Sequence, residues 1–151
     1  MESKSAVSTV TNHVRMEFPS LAENVAFART AVAVFAAQLD FTLEELDEVK
    51  VAVSEAVSNC VIHAYAETVG TVVIEMAILN ADTLQITVRD QGRGIKDVDQ
   101  ALEPTYTTLP EERMGLGLAF INMYMDEVVL DSTVGVGTTV HMKKQKAGEK
   151  D

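Results

Sequence analysis

Between His13 and Phe18 the apolar residues Val14, Met16 and Phe18 alternate with polar neighbours, and that period of two predicts a half-buried strand. The chain then runs from Asn24 to Leu39 without glycine or proline, behind Ser20 and Glu23 at the spacing of a capping box, which predicts a first helix. Thr42 and Glu45 repeat that spacing ahead of residues 43–65. There Val49, Ala52, Val53, Ala56, Val57, Cys60, Val61 and Ala64 recur at steps of three and four, the mark of a second helix with one core-facing stripe. Residues 71–79 and 83–90 are β-rich runs joined by Asn80, Ala81 and Asp82, which predicts an antiparallel hairpin. In its second run Leu84, Ile86 and Val88 alternate with Gln85, Thr87 and Arg89, so one sheet face should be buried under helices. A helical pattern at 116–125 and strands at 126–132 and 138–144, the latter two turned by Gly135-Val136-Gly137, complete the order β-α-α-β-β-loop-α-β-β. Strand runs separated by helices predict an α+β fold. The expected form is a two-layer sandwich whose mixed, mostly antiparallel sheet is covered on one face by helices.

A length of 151 residues suits a single domain, read as residues 13–144 between flexible ends at 1–12 and 145–151. The longest apolar run, Ala31 to Ala37, is far short of the roughly 20 residues of a membrane-spanning helix. Residues 1–15 have no apolar signal-peptide core and Cys60 is the chain's one cysteine, so a cytoplasmic setting without disulfides is expected. A net charge of −11 argues against direct contact with nucleic acid and suits, at most, a basic protein partner.

Three short motifs carry possible chemistry. Glu55 and Asn59 stand four residues apart on the second helix and share a face, where a carboxylate can take a proton and an amide oxygen can bind Mg²⁺. Asp90, at a strand end, is followed by Gly92 and Gly94; the aspartate can accept a hydrogen bond from an exocyclic amine and the glycines allow close approach of a ligand. Gly115 and Gly117 precede the third predicted helix, whose first amides would suit phosphate, with the Arg113 guanidinium beside them. Taken singly, each has an ordinary alternative: a solvated helix edge, a turn, a helix-starting loop. The long stretch between Asp90 and Phe120 is of a length usually reserved for functional loops.

Taken together, E-x-x-x-N on a helix, D-x-G-x-G after a strand and G-x-G before a helix resemble the Bergerat-fold (GHKL) domains of gyrase, mismatch-repair and chaperone ATPases and of histidine kinases. Closer still, "AENVAFAR", "VSEAVSNCVIHAY", "VRDQGRGI", "YTTLPEERMGLGLAFI", "MDEVVLDS" and "GTTVHMKK" resemble the anti-sigma F factor family of serine kinases, over about His13 to Lys144. The resemblance implies a Bergerat fold that binds ATP or ADP with Mg²⁺, Asn59 holding the metal and Glu55 acting as catalytic base. Asp90 would read the adenine amine and Thr138 would support it. Gly92, Gly94, Thr107, Thr108, Arg113, Gly115, Leu116 and Gly117 would complete the nucleotide site, and Arg29 would dock partners. Those partners would be sigma factor F, an anti-anti-sigma protein phosphorylated on serine, and a second copy of the chain.

Two departures accompany the matches: about a dozen extra residues before the first strand, and Leu109 where relatives commonly carry lysine. Arg93 reads as solvent-facing. His13, His63 and His141 lack metal-ligand spacing, and Cys60 sits on the core stripe. Three rivals stay open: an anti-sigma module that uses ATP only to organise its partner surface, a related stress-response anti-sigma serine kinase, and an ATP-hydrolysing switch, which would need an appended domain to move.

Overall fold

Strand alternation and helix caps place most of the element boundaries. The computed structural model describes residues 9–95 and 110–147, with the side chains of 110–116 outside that description. In chain order it contains β1 (Val10–Pro19), α1 (Glu23–Ala36), a 3₁₀ turn (Ala37–Leu39), α2 (Leu43–Asn59) and a π-helical turn (Cys60–Ala64). Then follow β2 (Thr71–Leu79), β3 (Thr83–Asp90), α3 (Pro110–Tyr124), β4 (Glu127–Thr133) and β5 (Gly137–Gln145). The strands lie in the order β1-β2-β3-β5-β4 and every neighbouring pair is antiparallel. β4 runs parallel to β3, but β5 lies between them.

Register explains the core. Met16, Ile74, Val88, Val140 and Leu130 stand in one row across the sheet, and Val14, Met76, Ile86, Met142 and Val128 in the next. Ile74, Ile86 and Met142 are fully buried, as are Val32 of α1 and Val49, Val53 and Val57 of α2, so the helices cover this face. A residue of that size sealed from water contributes about 1.5–3 kcal/mol, which makes the two central rows the main source of stability. The opposite face stays polar: Arg15 and Arg89 both reach Glu75, at 3.7 and 3.3 Å.

The Thr42 cap forms as expected. Glu45 donates its N–H to Thr42 Oγ1 at 3.0 Å and Thr42 donates its own to Glu45 Oε1 at 2.8 Å. The matching expectation at Ser20 and Glu23 fails, because α1 starts from Ala22 with no side-chain cap. Ser20 is instead buried, its Oγ accepting the Gly70 N–H at 3.0 Å while its N–H donates to the Gly70 carbonyl at 2.9 Å. A small hydroxyl fits the junction between the end of β1 and the start of β2 better than it serves a helix end that water can reach. β1 begins at Val10, before the strand predicted from His13, because its pairing with β2 continues to Leu79.

Lys144 ties three elements together. Its buried ammonium donates to Glu48 Oε1 of α2 at 2.9 Å and to the Tyr124 carbonyl of α3 at 2.7 Å, where a cation also complements the helix dipole. Removing only the carboxylate strands a charge away from water. Glu48→Ala is therefore expected to lower unfolding stability by about 2–3 kcal/mol, and the double variant with Lys144→Met to recover part of that loss. Urea denaturation checks this; a Glu48→Ala midpoint equal to wild type would remove the role assigned to the bridge.

Candidate functional site

The C-terminal end of α2 does not stop at Asn59. It widens into the π-helical turn, which closes with the Tyr65 N–H donating to the Cys60 carbonyl at 3.1 Å. Such turns insert one residue into a helix and change which side chains share a face. Here the turn presents the Ala64 carbonyl to the loop after β3, where it accepts the Arg93 N–H at 3.2 Å. A side chain at Gly92 would overlap that same carbonyl. Gly94, at φ +80°, lies against the Thr133 carbonyl.

Tyr65 fastens the arrangement from the other side. Its ring occupies the space a side chain at Gly70 would need, and its hydroxyl donates to the Thr71 carbonyl at 2.9 Å and accepts the Gln91 N–H at 2.6 Å. Asp90, buried at the end of β3, has Oδ1 held by the N–H groups of Gly92 at 2.9 Å and Thr138 at 3.2 Å. The Thr138 hydroxyl itself bonds Ser132 Oγ at 2.7 Å. Burial pushes the Asp90 carboxyl above its ordinary value, and those donors pull against it.

Between the helix layer and the sheet lies a cavity of about 230 Å³. Ala56, Val88, Leu118 and Val140 give it apolar walls, and Asn59 and Asp90 bring polar groups to it. Apolar walls with a few polar groups among them are the chemistry of a small-molecule pocket. Asn59 has its side-chain nitrogen buried with no hydrogen-bond partner among the described residues. One turn earlier Glu55 is half-buried, and burial raises its carboxyl above the ordinary glutamate value.

Asn59, Asp90, Gly94 and Thr138 thus border one cavity, with Gly92 beside it and Glu55 one helical turn away. Arg113, Gly115 and Leu116 lie on the backbone of α3, and Thr107, Thr108 and Leu109 fall outside the described residues. Arg29 is on α1, away from the cavity wall. One expectation is corrected: Gly115 and Gly117 do not precede a helix but lie within α3, which starts at Pro110. Proline suits a first helical turn, having the right φ and no N–H to satisfy, so the helix begins there and the glycines are read through. Within the helix Gly117 packs closely on α2, since a side chain there would meet Glu55 Oε1 at 2.5 Å.

Four contributors escaped sequence reasoning. Tyr65, Cys60 and Gly137 act across long separations that no local pattern signals, although the glycine at 137, φ +144°, stood in a visible turn. Arg93, read as solvent-facing, is exposed yet also borders the cavity.

Comparison with known proteins decides the family. The sequence profile of the histidine kinase-like ATPase domain matches residues 18–144. The chain is 52% identical over 136 residues to the anti-sigma F factor of Pasteuria penetrans, covering 89% of this chain and 91% of that one. It is 45% identical over 141 residues to that of Thermoanaerobacter sp. strain X514, covering 93% and 98%. The chain belongs to the anti-sigma F factor family. Solved structures agree with the Bergerat fold of that family. The RsbU and RsbW domains of a Mycobacterium tuberculosis protein match with a TM-score of 0.67 at 19% identity, over 90% of this chain and 33% of that one. The mycobacterial sensor histidine kinase MprB matches with a TM-score of 0.57 at 16% identity, over 88% and 98%.

Two glycines of this anti-sigma F factor family member should respond unequally to alanine. A side chain at Gly137 would strike the Asp90 backbone carbonyl from a left-handed φ, so Gly137→Ala is expected to cost about 2 kcal/mol or more. At Gly117 the obstacle is the end of a flexible carboxylate, and alanine is the better helix former, so stability should change by less than about 1 kcal/mol. Chemical denaturation of both variants checks this, and equal losses would contradict it.

Proposed function

We propose that the chain is a Mg·ATP-dependent protein serine kinase and anti-sigma factor that binds sigma factor F and phosphorylates an anti-anti-sigma protein on serine, in the cytoplasm and as a homodimer. The observation carrying this reading is the meeting of Asn59 and Asp90 on one apolar slot, with Glu55 a single turn away. The family names of the relatives support the sigma-factor partner.

Asp90 would take the exocyclic amine of adenine, and the apolar walls would hold the ring. Asn59 would offer magnesium its amide oxygen, while its buried amide nitrogen, without a hydrogen-bond partner among the described residues, would be left to donate to the nucleotide. When bound, that ion would offset phosphate charge. The chain's own part is to position the reactants. The serine oxygen forms a bond to the γ-phosphorus while the bond to the β–γ bridging oxygen breaks. ADP leaves with that electron pair, and the serine proton passes to a Glu55 carboxylate oxygen.

Raised by burial, Glu55 would serve only where it is ionised. Falling pH protonates it earlier than an ordinary glutamate, so the acid limb of transfer should lie above the usual glutamate range. Glu55→Ala should remove that limb together with at least about 99% of transfer while leaving ATP affinity within about twofold. Incubation with γ-labelled ATP and the serine partner measures this; a variant that transfers label at the wild-type rate would overturn the assignment. Wild type that binds partner and ATP yet leaves it unlabelled would favour the non-enzymatic module.

Arg29 is the proposed partner-docking residue. Arg29→Ala should weaken sigma-factor capture at least tenfold without changing ATP affinity, and unchanged capture in a titration would remove it from the interface.

A further inference from the structure

Asp90 uses its two oxygens differently. Oδ1 accepts both backbone N–H groups, whereas Oδ2 has, among the described residues, the thiol of Cys60 as its hydrogen-bond donor, with sulfur 3.5 Å away. Cys60 is buried, borders the same cavity as Asp90 and opens the π-helical turn. Its sulfur also lies 3.4 Å from the Ala56 carbonyl, so one hydrogen is shared between two acceptors.

We propose that Cys60 is a positioning residue for base recognition: its thiol fixes Asp90 Oδ2, the oxygen left over by the backbone donors, to accept an exocyclic amine of a purine. This rests on the nucleotide reading above. With Oδ1 clamped, the remaining freedom of the carboxylate is rotation that swings Oδ2, and a donor anchored in α2 opposes that swing. An oxygen with two lone-pair positions takes the thiol and the amine together. A purine presenting a carbonyl oxygen at the same edge meets a carboxylate that cannot turn aside, so Cys60 sharpens the preference for amines. The thiol is suited to this by its burial and by its contact with the Asp90 carboxylate. A thiol so placed acts as a donor and is a poor nucleophile.

The pH dependence follows from sign. The Cys60 hydrogen bond holds the Asp90 carboxyl down against burial. Without it the carboxyl protonates at higher pH, and amine recognition fails earlier on acidification. The other groups around this carboxyl are His63 of the π-helical turn, Tyr65 just after it, Arg93 at the cavity border and Thr138 on β5, and all remain in the variants.

Calorimetric titration of the full chain with ATP and GTP, repeated down a pH series, tests the proposal. Cys60→Ala is expected to lower ATP affinity about fivefold, to shrink the ATP-over-GTP ratio, and to move the acid limb of ATP binding to higher pH. Cys60→Ser, which keeps a donor, should restore both ratio and limb. A wild type that binds ATP and a Cys60→Ala variant with the same ratio and limb overturn this role alone. Failure of the serine variant to restore them also overturns it, by reducing the residue to packing. A wild type that binds no ATP overturns this role and the nucleotide reading together.

Discussion

A carboxylate removed from water must be given donors or lose its charge, and Asp90 is the place where this chain meets that demand. Two backbone N–H groups from different elements converge on one of its oxygens, and each has a geometric precondition. Gly92 can reach it because no side chain separates the loop from the Ala64 carbonyl, and Thr138 because Gly137 lets β5 pass close over the Asp90 backbone. The end of α2, the loop after β3 and the β4–β5 turn are thereby held to one another. The cavity is what that convergence leaves open.

The two sides of the sheet have divided the work. The helix-facing rows supply burial, and the helices that cover them also bring Glu55 and Asn59 to the edge of the slot. The other side carries ion pairs such as Arg15–Glu75 and Arg89–Glu75, exposed enough that each is worth little to stability. They keep an uncovered face compatible with water. Across the layers, Lys144 holds the far end of α3 while Gly117 lets its near part approach Glu55, so the helix is located at two points along its length.

Much of this was legible in the chain. The β2–β3 hairpin could be read because alternation and a short polar turn act locally, and the α2 start because Thr42 and Glu45 satisfy each other without outside help. Ser20 misled for the same reason: its spacing to Glu23 mimics a cap, but its partner is Gly70, 50 residues away. Gly115 and Gly117 looked like helix breakers because glycine disfavours helices on average, whereas packing against Glu55 gives Gly117 a use inside one. In the site, Glu55, Asn59 and Asp90 stood out as polar residues in apolar surroundings. Tyr65, Cys60 and Gly137 did not, since each resembles an ordinary core or turn residue until its distant neighbour is known.

The π-helical turn has a bearing on how this chain can vary. It holds one more residue than a regular turn would, and that surplus aims the Ala64 carbonyl at the loop after β3. Loss of a single residue between Asn59 and Tyr65 would rotate everything downstream by roughly 100°, turning the carbonyl away from Arg93 and the phenol away from Gln91. Point changes along this segment can be absorbed one side chain at a time. Its length cannot, and descendants of the sequence are free to respell those positions but not to recount them.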